Sequence, residues 1–302
     1  MQIEGVDALS GLRAALEAPA GERAEVFRRA VMEPLRPFWE PLLAFTPPSG
    51  QQPQGDPALA AAHFAGYYSP DLGAERGLAA LEAMERAGTW PNCLRAVEEA
   101  AAVLAPEQHG LAMLPTKFAV VLADPDRPGF LDRNYGYTGM GAWPGTIMVM
   151  AWPTDYNLPR LPAAAAHELH HSVRLRYEPW SEATTVGQYL VLEGLAEAFA
   201  AERYGEELVG PWAKALSQAE LAATKPRLRD ALEVTGFNEI RGYIFGDWAS
   251  AQFGYAPRGL PDFAGYTVGY NLVRAYLART GRSAAEATYV PWREIVQEAA
   301  YF

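Results

Sequence analysis

The sequence predicts an α+β fold, mostly helical and built around a small mixed β-sheet, and three observations predict it. Most of the chain carries Ala-, Leu- and Glu-rich stretches whose apolar residues recur every three to four positions, the period of a helix with one buried face. Two short apolar runs bounded by proline, residues 116–123 (TKFAVVLA) and 146–152 (TIMVMAW), read as strands. The 302 residues are 50% hydrophobic and 20% charged, a globular composition long enough to bury a large core.

Taken in order, residues 1–45 are helical in pattern, with apolar positions at Leu12, Ala15 and Leu16 and again at Val26, Ala30 and Leu35. Residues 46–57 (TPPSGQQPQGDP) are polar and broken by proline, the clearest linker in the chain. Residues 58–105 read as two or three further helices, so that 1–105 form an N-terminal helical region and 106–302 a second region. Between the two strands lies the Gly- and Tyr-rich segment 134–141 (NYGYTGMG), fit for a hairpin turn or for a close backbone approach. A helix then begins near Pro162, whose missing N–H is not needed in a first turn. Four alanines follow, and the helix runs to about Arg176, with Arg174 and Arg176 set against its negative C-terminal end; Glu178-Pro179 stops it. Residues 186–204 make a second, largely apolar helix, and a third runs from about Gly265 to about Thr280. The aromatic segment 242–248 (GYIFGDW) suits core packing or the wall of a pocket.

The first of these helices carries His167-Glu168-Leu169-His170-His171, an H-E-x-x-H pattern. Residues four apart share one helix face, so His167 and His171 can grip one zinc ion while Glu168 leans toward its open position. With 5 His and 36 Asp+Glu in 302 residues, roughly 0.01 such matches arise by chance, so a solvated surface cluster is the weaker reading. A tetrahedral site needs a third protein ligand. The helix at 186–204 holds Glu193 and Glu197 amid Leu, Val and Ala, again four apart. Either the two glutamates mark the wet side of an amphipathic helix, or Glu193 binds the metal and Glu197 accepts a ring N–H of a ligand histidine. His170 is left outside the site, as a competing ligand, a supporting residue or a packing residue.

The HELHH pentad, followed at this distance by Glu193-Gly194-Leu195-Ala196-Glu197, resembles the gluzincin arrangement of thermolysin-like and aminopeptidase-type zinc peptidases. It is more closely similar to a bacterial family of predicted zinc-dependent proteases, a domain of unknown function. That family carries an HExxHH-type helix, an EGLAE helix and a later Gly-Tyr-x-x-Gly-Tyr segment, here Gly265-Tyr266-Thr267-Val268-Gly269-Tyr270. The resemblance covers roughly residue 115 to the end of the sequence and implies a zincin-like fold, a Zn²⁺ cofactor, Glu193 as third ligand and a peptide or protein substrate held along an edge strand. No histidine follows His171, so an oxyanion cannot be stabilised by a histidine from the C-terminal half. Tyr266 and Tyr270 are the substitutes, one helical turn apart, with core packing as the alternative use of each.

The expected chemistry has Glu168 as general base and then acid, with His167, His171 and Glu193 on zinc. A zincin scaffold that binds a partner without proteolysis, and hydrolysis of non-peptide amides or esters, are the alternatives. A net charge of −11 disfavours nucleic acid and anionic membrane surfaces. The first seven residues lack a basic and apolar leader, and no run reaches the ~18 apolar residues of a membrane span, so a cytoplasmic location is expected. The single cysteine, Cys93, excludes an intramolecular disulfide and is read as structural. Oligomeric state is not encoded in any of these features.

Overall fold

The computed structural model describes residues 1–43, 56–252 and 254–302. Most of the linker expected at 46–57 lies outside the described residues. The rest is mostly helical, with a small mixed sheet of four strands.

The sheet has the order β1 (Ile3–Val6), β2 (Thr116–Leu122), β4 (Thr146–Ala151), β3 (Tyr137–Met140). β1, β2 and β4 run parallel, and β3 is antiparallel to β4 at one edge. Both apolar runs form strands, and β4 is buried throughout, as a central strand covered on both faces must be. β1 falls inside a stretch expected to be helical. It is four residues long, and parallel pairing with β2 supplies the hydrogen bonds that its own pattern does not advertise.

The residues fall into two compact units. Unit 1 comprises 1–99 and 114–168, and unit 2 comprises 100–113 and 169–302. Unit 1 holds the sheet and the helices α1 (Ala8–Glu17), α2 (Arg23–Phe27), α3 (Arg36–Leu43), α4 (Pro57–Ala65) and α5 (Ala74–Arg86). α6 (Thr89–Leu104) begins in unit 1 and ends in unit 2. Its Cys93 is fully buried, and burial pushes the thiol far above its ordinary pKa, as expected of a structural cysteine.

α7 (Leu161–Tyr177) likewise runs from unit 1 into unit 2. Unit 2 is built around α8 (Val186–Tyr204), buried from Leu190 through Ala200. Such a helix is apolar all round and must sit inside others. α10 (Phe237–Phe245), α12 (Ala264–Thr280), α13 (Ala284–Ala287) and α14 (Trp292–Ala299) pack on it, while α9 (Gln218–Asp230) packs on α12 and α11 (Asp247–Gln252) on α10. α8 and α12 touch backbone to backbone, because a Cβ on Gly194 would overlap the Gly269 carbonyl and one on Gly269 would overlap that of Leu190. Among the described residues no helix is long and apolar enough to cross a membrane.

Candidate metal centre

α7 starts where expected, after a 3₁₀ turn at Leu158–Arg160, and its alanines are used for close packing: Ala163, Ala165 and Ala166 are buried. His167, Glu168 and His171 follow on the same helix, all buried, with one ligand atom of each within 4.8 Å of the others. α8 is started by Thr185, whose hydroxyl accepts the N–H of Gln188, and about two turns later it presents the buried Glu193. Glu193 is outside the triplet but meets it at one member: its Oε2 lies 3.3 Å from His171 Nε2.

That separation and that donor set fit zinc. Two ligands of a tetrahedral zinc, each about 2.0–2.1 Å from the ion, stand about 3.3–3.4 Å apart. Two imidazoles and a carboxylate are borderline-soft donors of the kind zinc takes.

Glu197, one turn beyond Glu193, is also buried; its Oε2 accepts the Gly210 N–H at 3.0 Å and its Oε1 accepts the Trp212 indole N–H. The glutamates therefore belong to the interior of unit 2, not to a wet helix face. Tyr266 packs among Trp212, Phe245 and Phe263, with ring centroids at 6.1, 5.8 and 6.1 Å. Tyr270 is only 2% exposed and its hydroxyl donates to Glu206 at 2.8 Å. Burial first, and then the hydrogen bond to Glu206, push its pKa far up, so it remains a neutral donor.

His170 faces away from this chemistry. Its Nε2 lies 2.9 Å from the Thr288 hydroxyl, which itself donates to the Ala284 carbonyl at 2.9 Å, so the histidine donates and the hydroxyl accepts. One turn on, Arg174 is buried. It donates to the carbonyls of Thr288 and Val290 at 2.6 and 2.7 Å and pairs with Glu178. Arg174 stands in the last turn of α7 as expected, and with His170 it also ties α7 to the segment between α13 and α14. Burial lowers its pKa.

Sequence reasoning missed how the glycines of the 134–141 segment are used. A Cβ on Gly139 would overlap the Glu168 carboxylate, and one on Gly141 would overlap the Glu168 backbone carbonyl. The strand approaches α7 this closely because it has no side chains there. The spacing of glycines at 139 and 141, on one strand face, is the signal that could have found it. Among the described residues β3 is the last strand at its side of the sheet, with no strand paired to its outer edge. Gly136 O accepts from Trp152 N at 2.9 Å and Gly136 stands opposite Trp152, which sets the phase of the antiparallel ladder. Hydrogen-bonded and non-hydrogen-bonded pairs alternate, so Thr138 and Met140 turn their backbone groups toward β4 while Gly139 turns its N–H and C=O outward.

The described features have counterparts in other proteins. Residues 90–297 match a family described as predicted Zn-dependent protease (DUF2268). The uncharacterized protein YjfC of Bacillus subtilis is 34% identical over 282 residues, covering 93% of this chain and 92% of YjfC. The uncharacterized protein YjaZ of the same organism is 27% identical over 147 residues, 48% of this chain and 52% of YjaZ. No solved structure matches significantly. With a buried His-Glu-His helix and a matched span covering more than half of its length, this chain belongs to the family of predicted Zn-dependent proteases.

Proposed function

We propose that the chain is a zincin-like zinc peptidase in which His167, His171 and Glu193 hold the metal. The observation that carries this reading is the meeting of three things at Glu168: the two histidines of its own helix, a carboxylate set against the glycine of β3, Gly139, and an outward N–H and C=O pair on that same glycine. A peptide added to the open edge would hydrogen-bond at Gly139 through its backbone, blind to sequence, with a scissile carbonyl beside Glu168.

Bound zinc would supply Lewis acidity toward the carbonyl and an acidified water. Glu168 takes the proton of the attacking water and delivers it to the leaving amide nitrogen, general base and then general acid. Its side chain has room because position 139 is a glycine, while Gly141 leaves room for the Glu168 backbone. Tyr266 is assigned the donor to the developing oxyanion, since the Tyr270 hydroxyl is already committed to Glu206. Glu197 anchors Gly210 and Trp212 through its two oxygens, and a ring N–H of a ligand histidine would be a further donor to the same carboxylate.

The test separates metal from chemistry. Glu168→Gln keeps its zinc by elemental analysis and loses chelator-sensitive cleavage of a peptide library by roughly 10²–10⁴-fold. Glu193→Ala loses the zinc. Cleavage at the wild-type rate by Glu168→Gln, or full zinc content in Glu193→Ala, would sink the assignment.

A further inference from the structure

Tyr135 and Tyr156 stand at the end of the edge strand with their rings 5.3 Å apart and tilted by 30°. Both are large aromatics left open to solvent, 41% and 39% exposed. The Arg160 guanidinium lies 3.8 Å from the Tyr156 ring centroid and donates to its carbonyl at 2.6 Å, which holds that ring in place. Leu131, also exposed, adjoins the same turn.

The backbone under Tyr135 is the unusual part. Tyr135 has φ 56° and Gly136 φ 74°, and Tyr137 N–H donates to Asn134 O at 3.2 Å. Two central residues in the left-handed region bridged by that bond have the sign pattern of a type I′ turn, where Asn-Gly or Gly-Gly is the favoured pair. Tyrosine in the left-handed region is strained, whereas asparagine enters it readily. Three other described non-glycine residues with positive φ, Ala105, Phe263 and Ala300, all sit at helix ends. Tyr135 does not. Its conformation is instead held by the fully buried Asn157, whose side-chain amide reaches the carbonyls of Tyr135, Gly136 and Trp152 at 3.1, 3.2 and 2.8 Å. A strained, exposed aromatic, fixed from beneath by a buried amide, is an outlier of the kind that clusters at ligand contacts.

We infer that Tyr135, propped by Tyr156, is a specificity-determining contact that receives an aromatic side chain of an extended peptide lying along β3. The inference rests on the peptidase reading for the position of the scissile bond. Gly139 lies four positions after Tyr135, and because Tyr135 and Gly136 form a turn and only Tyr137–Met140 is strand, the two are no more than about 13 Å apart at ~3.3 Å per residue, which sets the recognised side chain three or four residues from the bond that is cut. The preferred substrate class is therefore an extended, internal peptide segment carrying Phe, Tyr or Trp at that distance. Ring-on-ring packing at a half-exposed platform predicts a preference of about fivefold to tenfold over alanine.

The probe is a set of capped octapeptides of Ala and Ser with a single Phe placed at each position in turn. Cleavage by the zinc-loaded wild type is read by mass spectrometry, and binding is read by calorimetry on zinc-loaded Glu168→Gln, which separates recognition from turnover. The expected result is one Phe position favoured over the rest in binding, lying three or four residues from the cut. In Tyr135→Asn that preference falls to about one, while the variant melts at or above the wild-type temperature because the turn is relieved. A structural role would instead lower the melting temperature and leave the Phe preference in place; that outcome overturns the proposal. Cleavage without any Phe preference also overturns it and leaves the peptidase reading standing. Position-dependent binding abolished by Tyr135→Asn, with no cleavage of any member, supports the contact and overturns the peptidase reading. Neither binding nor cleavage overturns both.

Discussion

At Gly139 a single hydrogen atom leaves the space that the Glu168 side chain fills, and at Gly141 another leaves space for the Glu168 backbone. The two positions therefore predict different outcomes for the same substitution. Gly139→Ala meets the buried Glu168 side chain from its Cγ to its carboxylate, so the whole side chain must turn, at a cost of about 0.5–1.5 kcal/mol in stability. Cleavage falls at least about tenfold, since a small misplacement of a catalytic group is expensive. Gly141→Ala meets main chain that cannot step aside and costs about 1–3 kcal/mol, read as a lower urea midpoint. At this scale the HELHH pentad was fully legible in the sequence, because both histidines and the glutamate lie within one helical turn and need no tertiary knowledge. The burial of Glu193 was legible through its apolar surroundings and its four-residue spacing from Glu197; its role as a ligand is part of the proposal. Arg174 was not. An arginine near a helix end looks the same whether it meets solvent or two buried carbonyls 114 and 116 residues away.

Among elements, α8 and α12 set the geometry of unit 2, and glycine at 194 and 269 is what lets their backbones touch. Gly269→Ala forces the two helices apart at the level of Leu190, one turn before Glu193. The expected loss is about 1–3 kcal/mol by chemical denaturation, accompanied by weaker zinc retention on dialysis; unchanged zinc affinity would show that the pair does not position Glu193. α8 was readable end to end because its apolar pattern is continuous and its cap is a threonine. The edge strands were not. β1 is four residues long, and β3 has neither alternation nor β-branched density, so their existence depends on partners that sequence periodicity does not see.

For the whole molecule, a metal that binds the folded state and not the unfolded chain adds its binding free energy to stability. Zinc at 1,000 times its dissociation constant contributes about 4.1 kcal/mol. Treatment of the wild type with a chelator is expected to lower the melting temperature by several degrees, and Glu193→Ala should melt at that lower temperature with or without chelator. A wild type whose melting is indifferent to chelator would contradict a resident zinc. The sheet order β1-β2-β4-β3 has a consequence of its own. A strand whose backbone donors and acceptors face outward is open to any extended chain, including the β3 of another copy, and open edges are where proteins stick to themselves. Among the described residues the edge that β3 offers is four residues long, Tyr137–Met140, with two left-handed residues before its start and a glycine at 141 after its end. An edge that short can hold a visiting peptide for the duration of a cut, yet offers too few hydrogen bonds to seed a lasting stack of its own kind.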